Sequence, residues 1–168
     1  VTISRASSSF KHTIQYTFGG VTTIAVTKTD KTSYSFTPSL DLANKIPNDT
    51  SGTCTVKVTT YSGDTSIGST SKTFTLKVPS SVKPTITLAT TYNNTLSGLC
   101  LAGKSTVKVT STGTGSYSST ISSYTYSGAG LSGTGSSKTT GTLSAGYYTI
   151  TVTATDSRGQ KGSASISF

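Results

Sequence analysis

Residues 10–18 read FKHTIQYTF, and apolar and polar positions alternate through them without a break. Phe10, His12, Ile14, Tyr16 and Phe18 fall on one side; Lys11, Thr13, Gln15 and Thr17 fall on the other. Side chains of a strand point alternately to its two faces, so the run predicts a strand with one face in a core and one in water. The same alternation returns along the chain: Ile24 and Val26 in TTIAVTK, Tyr34 and Phe36 in SYSFT, Cys54, Val56 and Val58 in TCTVKV, and Phe74, Leu76 and Val78 in SKTFTLKV. It resumes with Ile86 and Leu88, Val107 and Val109, and Tyr124 and Tyr126. A terminal hairpin follows, with Tyr148, Ile150, Val152 and Ala154 in phase on one strand and Ala164, Ile166 and Phe168 on the other. Short runs of this kind, bounded by Gly, Asp, Asn and Ser, predict an all-β sandwich architecture.

Four segments depart from the alternation. SLDLANKIPN, residues 39–48, spaces Leu40, Leu42, Ala43 and Ile46 as in a helix, with Ser39 placed to cap it and Pro47 to end it. One or two helical turns near 39–46 are expected. VPSSVKP, residues 78–84, carries two prolines and reads as a boundary. SGAGLSGTGSSKTTG, residues 127–141, reads as a flexible or irregular connection. DSRG, residues 156–159, reads as a tight turn in which Asp156 bonds its own backbone and Gly159 takes a positive φ. The chain is therefore expected to form two tandem immunoglobulin-like β-sandwich domains, residues 1–79 and 85–168, joined by a linker at 80–84.

Composition supports folding over disorder. Ser and Thr make up roughly 40% of the chain and only 11% is charged. Disordered chains usually combine high net charge with few aromatic and β-branched residues. Here 9 Tyr and 5 Phe accompany many Val, Ile and Thr. The absence of Met predicts a piece of a longer polypeptide. The net charge of +9 is spread, about +4 up to Val82 and about +5 beyond it. Such a field favours anionic partners. The strand lysines 11, 57, 77 and 108 are separated by Ser and Thr, which predicts a solvated sheet face and no nucleic-acid site. No apolar run is long enough to span a membrane. Cys54 and Cys100 form no Cys-x-x-Cys pattern and are expected as two buried free thiols in separate domains.

Little in the sequence points to chemistry. His12 is the only histidine, and Glu is absent. A catalytic or metal-bound histidine needs an acid, a nucleophile or further ligands. Four of the five Asp (30, 49, 64 and 156) fall in turn-like sequences, and Ser is too abundant for a Ser-His-Asp match to mean anything. His12 follows the apolar phase of its strand and reads as a core or sheet-face residue. No paired carboxylates, calcium loop or phosphate-binding glycine loop is present. No catalytic, cofactor or metal site is expected. The best ligand-binding candidates are the loop tyrosines Tyr61, Tyr92 and Tyr117, which could stack on sugars, though amphipathic tyrosines more often pack at sandwich corners.

Four stretches carry a family resemblance: ISRASSSFKHTIQYTFG, LANKIPNDTSGTCTVKVTTYSGDTSIGS, KTFTLKVPSSVKPTI and YTITVTATDSRGQKGSASISF. Together they resemble the minor structural proteins of siphoviruses that infect Gram-positive bacteria. The resemblance covers nearly the whole chain and is one of extended pattern. It implies tandem immunoglobulin-like modules in a tail or tail-tip protein, with no catalytic residue to carry over. On that basis the chain is expected to be a non-enzymatic phage tail or baseplate protein, assembled in the bacterial cytoplasm and resident in the virion. Its expected partners are other tail proteins in an oligomeric assembly, and host cell-wall polysaccharide. The alternative is a bacterial surface adhesin or carbohydrate-binding repeat module.

Overall fold

A computed structural model of the chain describes residues 1–93 and 99–168. The protein is all-β, and its strands pair antiparallel throughout the described residues. It divides into two compact units, Val1–Val78 and Pro79–Phe168.

Unit 1 is built on one sheet of order β2-β1-β3-β4. Its strands are β1 (Lys11–Phe18), β2 (Val21–Thr29), β3 (Ser51–Ser62) and β4 (Thr65–Lys77). The alternation in β1 is largely realised: His12, Ile14, Tyr16 and Phe18 are buried, whereas Lys11 is exposed and Gln15 and Thr17 are half-buried; Thr13, expected outward, is buried too, its hydroxyl accepting from Lys28 N–H (3.1 Å). Gly19 and Gly20 both take positive φ (54° and 79°), the backbone that a two-residue hairpin turn requires.

Ile24 and Val26 do not share a face. Gln15 pairs with Ile24 but Ile14 pairs with Val26, so β2 spends the extra residue Ala25 on a bulge. Ile24 lies opposite the outward Gln15 and is 60% exposed, while Ala25 packs on the core. One inserted residue reverses the phase, which alternation alone cannot register.

The opposite layer of unit 1 is irregular. SYSFT forms no strand beyond a bridge between Ser33 and Thr2, extended by Ile3 N–H to Thr32 O (2.7 Å). Phe36 still reaches the core, stacked on Tyr16 with ring centroids 4.9 Å apart. The expected helical turns form a 3-10 helix, η1 (Leu40–Lys45). The Ser39 hydroxyl accepts from Asp41 N, and Leu42 meets Tyr16, Phe18 and Cys54 in the core. This layer leaves β4 largely uncovered. All but one of its 13 residues are exposed, and Phe74, in phase with the core, remains 42% exposed.

Unit 2 packs two three-stranded sheets, β10-β9-β7 and β5-β6-β8. The strands are β5 (Thr85–Asn93), β6 (Thr106–Thr114), β7 (Ile121–Ser127), β8 (Ser137–Thr139), β9 (Thr149–Asp156) and β10 (Lys161–Ser167). Val107, Val109, Ile150 and Val152 are fully buried between the sheets. The Gly/Ser-rich stretch after β7 is irregular yet anchored. Leu131 plugs the core, and bridges join Gly128 to Leu131 and Thr125 to Thr134. On the outer face of β9 and β10 the hydroxyls pair across the strands: Thr149 with Ser167 (2.9 Å), Thr151 with Ser165 (2.9 Å) and Thr153 with Ser163 (2.8 Å).

Candidate functional site

β1 carries His12 to the inner face of the unit 1 sheet, where it is 1% exposed. Its Nδ1 lies 3.1 Å from the Thr60 hydroxyl of β3, its register partner. Its Nε2 is buried and has no hydrogen-bond partner. An unsatisfied buried polar atom costs roughly 1–3 kcal/mol, so folded chains leave few of them. Burial, and secondarily the Arg5 guanidinium, push the His12 pKa below its ordinary 6.5 and favour neutral imidazole.

His12 borders a cavity of about 390 Å³ between the N-terminal segment and strands β3 and β4. Arg5 lines it too. It is held in place because Nη1 donates to the carbonyls of Phe10 (3.3 Å) and Asp30. Among the described residues no carboxylate pairs with Arg5. Phe10, Val58 and Ile67 supply apolar wall, and Thr2, Ser4, Ser69 and Thr70 supply hydroxyl-bearing wall. A guanidinium, a neutral imidazole, hydroxyls and apolar surface around one small space can bind a polar molecule. They do not make a nucleophile–base–acid set. Nor do they hold a metal, since among the described residues no three His, Cys, Asp or Glu side chains cluster.

Tyr61 lies in unit 1 and Tyr92 and Tyr117 in unit 2, and each is half-buried. Tyr61 ends β3 with the Lys28 ammonium 5.0 Å from its ring centroid. Lys28 also pairs with Asp64, and the hydrogen bond and charge hold that carboxyl below its usual range. Tyr92 lies in β5 edge-on to Phe168 at 6.2 Å and belongs to the unit 2 core. Tyr117 sits in a loop at φ 48°, and its carbonyl accepts from Arg158. Tyr147, by contrast, is fully exposed. It is out of phase with Tyr148 and Ile150, and the alternation of β9 could have singled it out. Arg5 carried no periodic signal, because the segment around it forms no strand.

Asp156 does more than turn the chain. It is buried, and its carboxylate accepts from the backbone N–H of Arg158 (3.0 Å) and Gln160 (2.8 Å) and from the Ser119 hydroxyl (2.9 Å). Those bonds commit it to architecture. Both cysteines are free. Cys54 is buried as expected, and burial pushes its thiol pKa up. Cys100 is exposed, against the expectation of two buried thiols. The leucines beside it suggested core, but Leu101 opens a turn, closed by Ser105 N–H to Leu101 O (2.9 Å), and Leu99 is exposed as well. No helix among the described residues is long and apolar enough to cross a membrane.

Residues 1–166 match the model of a family described as "Siphovirus protein of unknown function (DUF859)". No curated protein matches the chain. Among solved structures, the chain resembles one described as "Structures of Clostridium thermocellum CbhA fibronectin(III)-like modules". Identity there is 18% and the TM-score is 0.40, over 98% of this chain and 80% of the other.

Proposed function

We propose, from the premise that this chain belongs to that siphovirus protein family, that it is a non-enzymatic structural protein of the phage tail or baseplate. Its role there is tail-tip architecture and attachment to the host cell surface. The observation that carries the reading is the family match over residues 1–166, nearly the full chain. The side chains are consistent with it. Asp156 is held by the backbone N–H groups of Arg158 and Gln160, so it is not free to act as base or acid, and His12 pairs with a hydroxyl, Thr60, and not with an acid. The lysines of the outer sheet faces, Lys11, Lys57, Lys77 and Lys108, are exposed and suit contact with an anionic cell wall. Partners are then other virion proteins in an oligomeric assembly, and host-wall polysaccharide. Several copies touching the wall together would turn weak single contacts into firm attachment.

Antibodies raised against the 168-residue chain, applied to purified virions and imaged by electron microscopy, test the reading. Label at the tail end is the expected result. Label confined to the capsid, or found on the envelope of uninfected bacteria, overturns it.

A further inference from the structure

We propose that the cavity lined by Arg5 and His12 binds one acidic sugar residue, with its carboxylate on the Arg5 guanidinium and a ring hydroxyl against the His12 imidazole, whose Nε2 a small turn of the ring uncovers. This rests on the surface-attachment reading above and names the ligand class for it.

Four observations lead there. The first is His12, which lines the cavity and whose Nε2 is buried without a partner. The imidazole is kept neutral, so Nε2 is either a donor or an acceptor, depending on the tautomer set by Thr60. A hydroxyl satisfies either state, since it both donates and accepts. The second is Arg5, a cation fixed by two carbonyls and paired with no carboxylate among the described residues. A planar guanidinium favours a planar carboxylate, which it can bind through two parallel bonds.

The third is the wall itself. Phe10 and Ile67 offer apolar surface beside the hydroxyls of Ser4, Ser69 and Thr70. A pyranose has the matching construction, with apolar C–H faces and a hydroxyl edge. The fourth is size. About 390 Å³ lies near the lower end of the roughly 300–1,000 Å³ range of small-molecule sites. That admits one sugar ring of a polymer and not an oligosaccharide. The alternatives fit less well. A metal would find a single imidazole and no acid among the lining residues. A nucleotide's phosphates would find one guanidinium where they need several donors.

His12 is the only histidine, so its imidazole nitrogens report on the site without ambiguity. The full chain, labelled with nitrogen-15, is titrated with D-glucuronate, D-glucose and acetate. The expected result is a saturable shift of the His12 nitrogens, with glucuronate binding at least about tenfold more tightly than either of the others. Arg5→Gln should weaken glucuronate binding by about tenfold while the melting temperature holds. Ile67→Glu, at an exposed position on the cavity wall, should abolish binding by placing a carboxylate beside the ligand's own. It supplies the test should Arg5→Gln unfold unit 1. No His12 shift with glucuronate overturns the proposal. So does equal affinity for glucose or acetate, or binding that survives both substitutions. Failure here with antibody label still at the virion tail removes the acidic-sugar site alone and leaves the tail reading standing.

Discussion

The carboxylate of Asp156 and the guanidinium of Arg158 are both wholly buried, yet they stand 3.9 Å apart and turn to other partners. Asp156 accepts from two backbone N–H groups of its own turn, and Arg158 donates to the carbonyls of Ser116 (2.7 Å) and Tyr117. Ser119 closes the circuit by donating to Asp156. The β9–β10 hairpin is thereby fastened to loop 115–119, where Tyr117 and Ser118 hold positive φ.

Breaking this arrangement should be costly. Asp156→Ala leaves the Arg158 charge buried without its nearby counter-charge and orphans the backbone donors. A loss of about 3–5 kcal/mol is expected in urea unfolding of unit 2. A loss under about 1 kcal/mol would mean that water reaches the group in the folded protein.

His12 should make unit 1 less stable in mild acid. Its folded pKa lies below the ordinary 6.5, so the unfolded chain binds the proton more readily. The stability is whole above about pH 6.5 and falls as pH drops from there through the lower folded value. Thermal melts of the wild type should show this decline, and His12→Leu should flatten it. An equal decline in both proteins would assign the effect to other groups.

The two thiols should separate cleanly by reactivity. A thiol-specific reagent should modify Cys100 in the native protein, because it is exposed. Cys54 should react only in denaturant, since it is inaccessible and burial disfavours its thiolate. Peptide mapping after brief alkylation distinguishes the sites. Rapid native modification of Cys54 would show that the unit 1 core opens.

Gly162 in β10 should not tolerate a side chain. A Cβ built there would lie 2.0 Å from the Pro84 carbonyl oxygen, and both groups are backbone-fixed. Gly162→Ala is expected to destabilise unit 2 by about 1–3 kcal/mol, the range for forcing atoms into a filled space. Gly159→Ala in the neighbouring turn, where a Cβ meets nothing within 4 Å, should cost less and only through its φ of 80°.

Much of this fold could be read from alternation. β1, β6 and β9 bury the residues that the period assigns, and β3 buries Cys54 and Val58 with Val56 half-buried, because each lies within a sheet with neighbours on both sides. The reading weakened where backbone geometry intervenes. The Ala25 bulge turned Ile24 outward, and the edge position of β4 left Phe74 in phase but uncovered. Tyr34 and Phe36 alternate like strand residues, but their segment finds only the short N-terminal stretch as a partner. The candidate site was less legible. The buried side of β1 located His12, but its meeting with Arg5 depends on how an aperiodic segment crosses the sheet. No local pattern encodes that path.

The paired hydroxyls along β9 and β10 have a consequence for the conditions under which unit 2 holds together. Each rung is a neutral hydrogen bond that satisfies two side chains at once. Dissolved ions screen exposed charges from one another beyond about 8 Å at physiological strength, yet they have nothing to screen in these rungs. Fresh water and brine should therefore look much alike to this face, while the lysines elsewhere sense every change in ionic strength. A chain so rich in Ser and Thr has placed part of its lateral cohesion beyond the reach of salt.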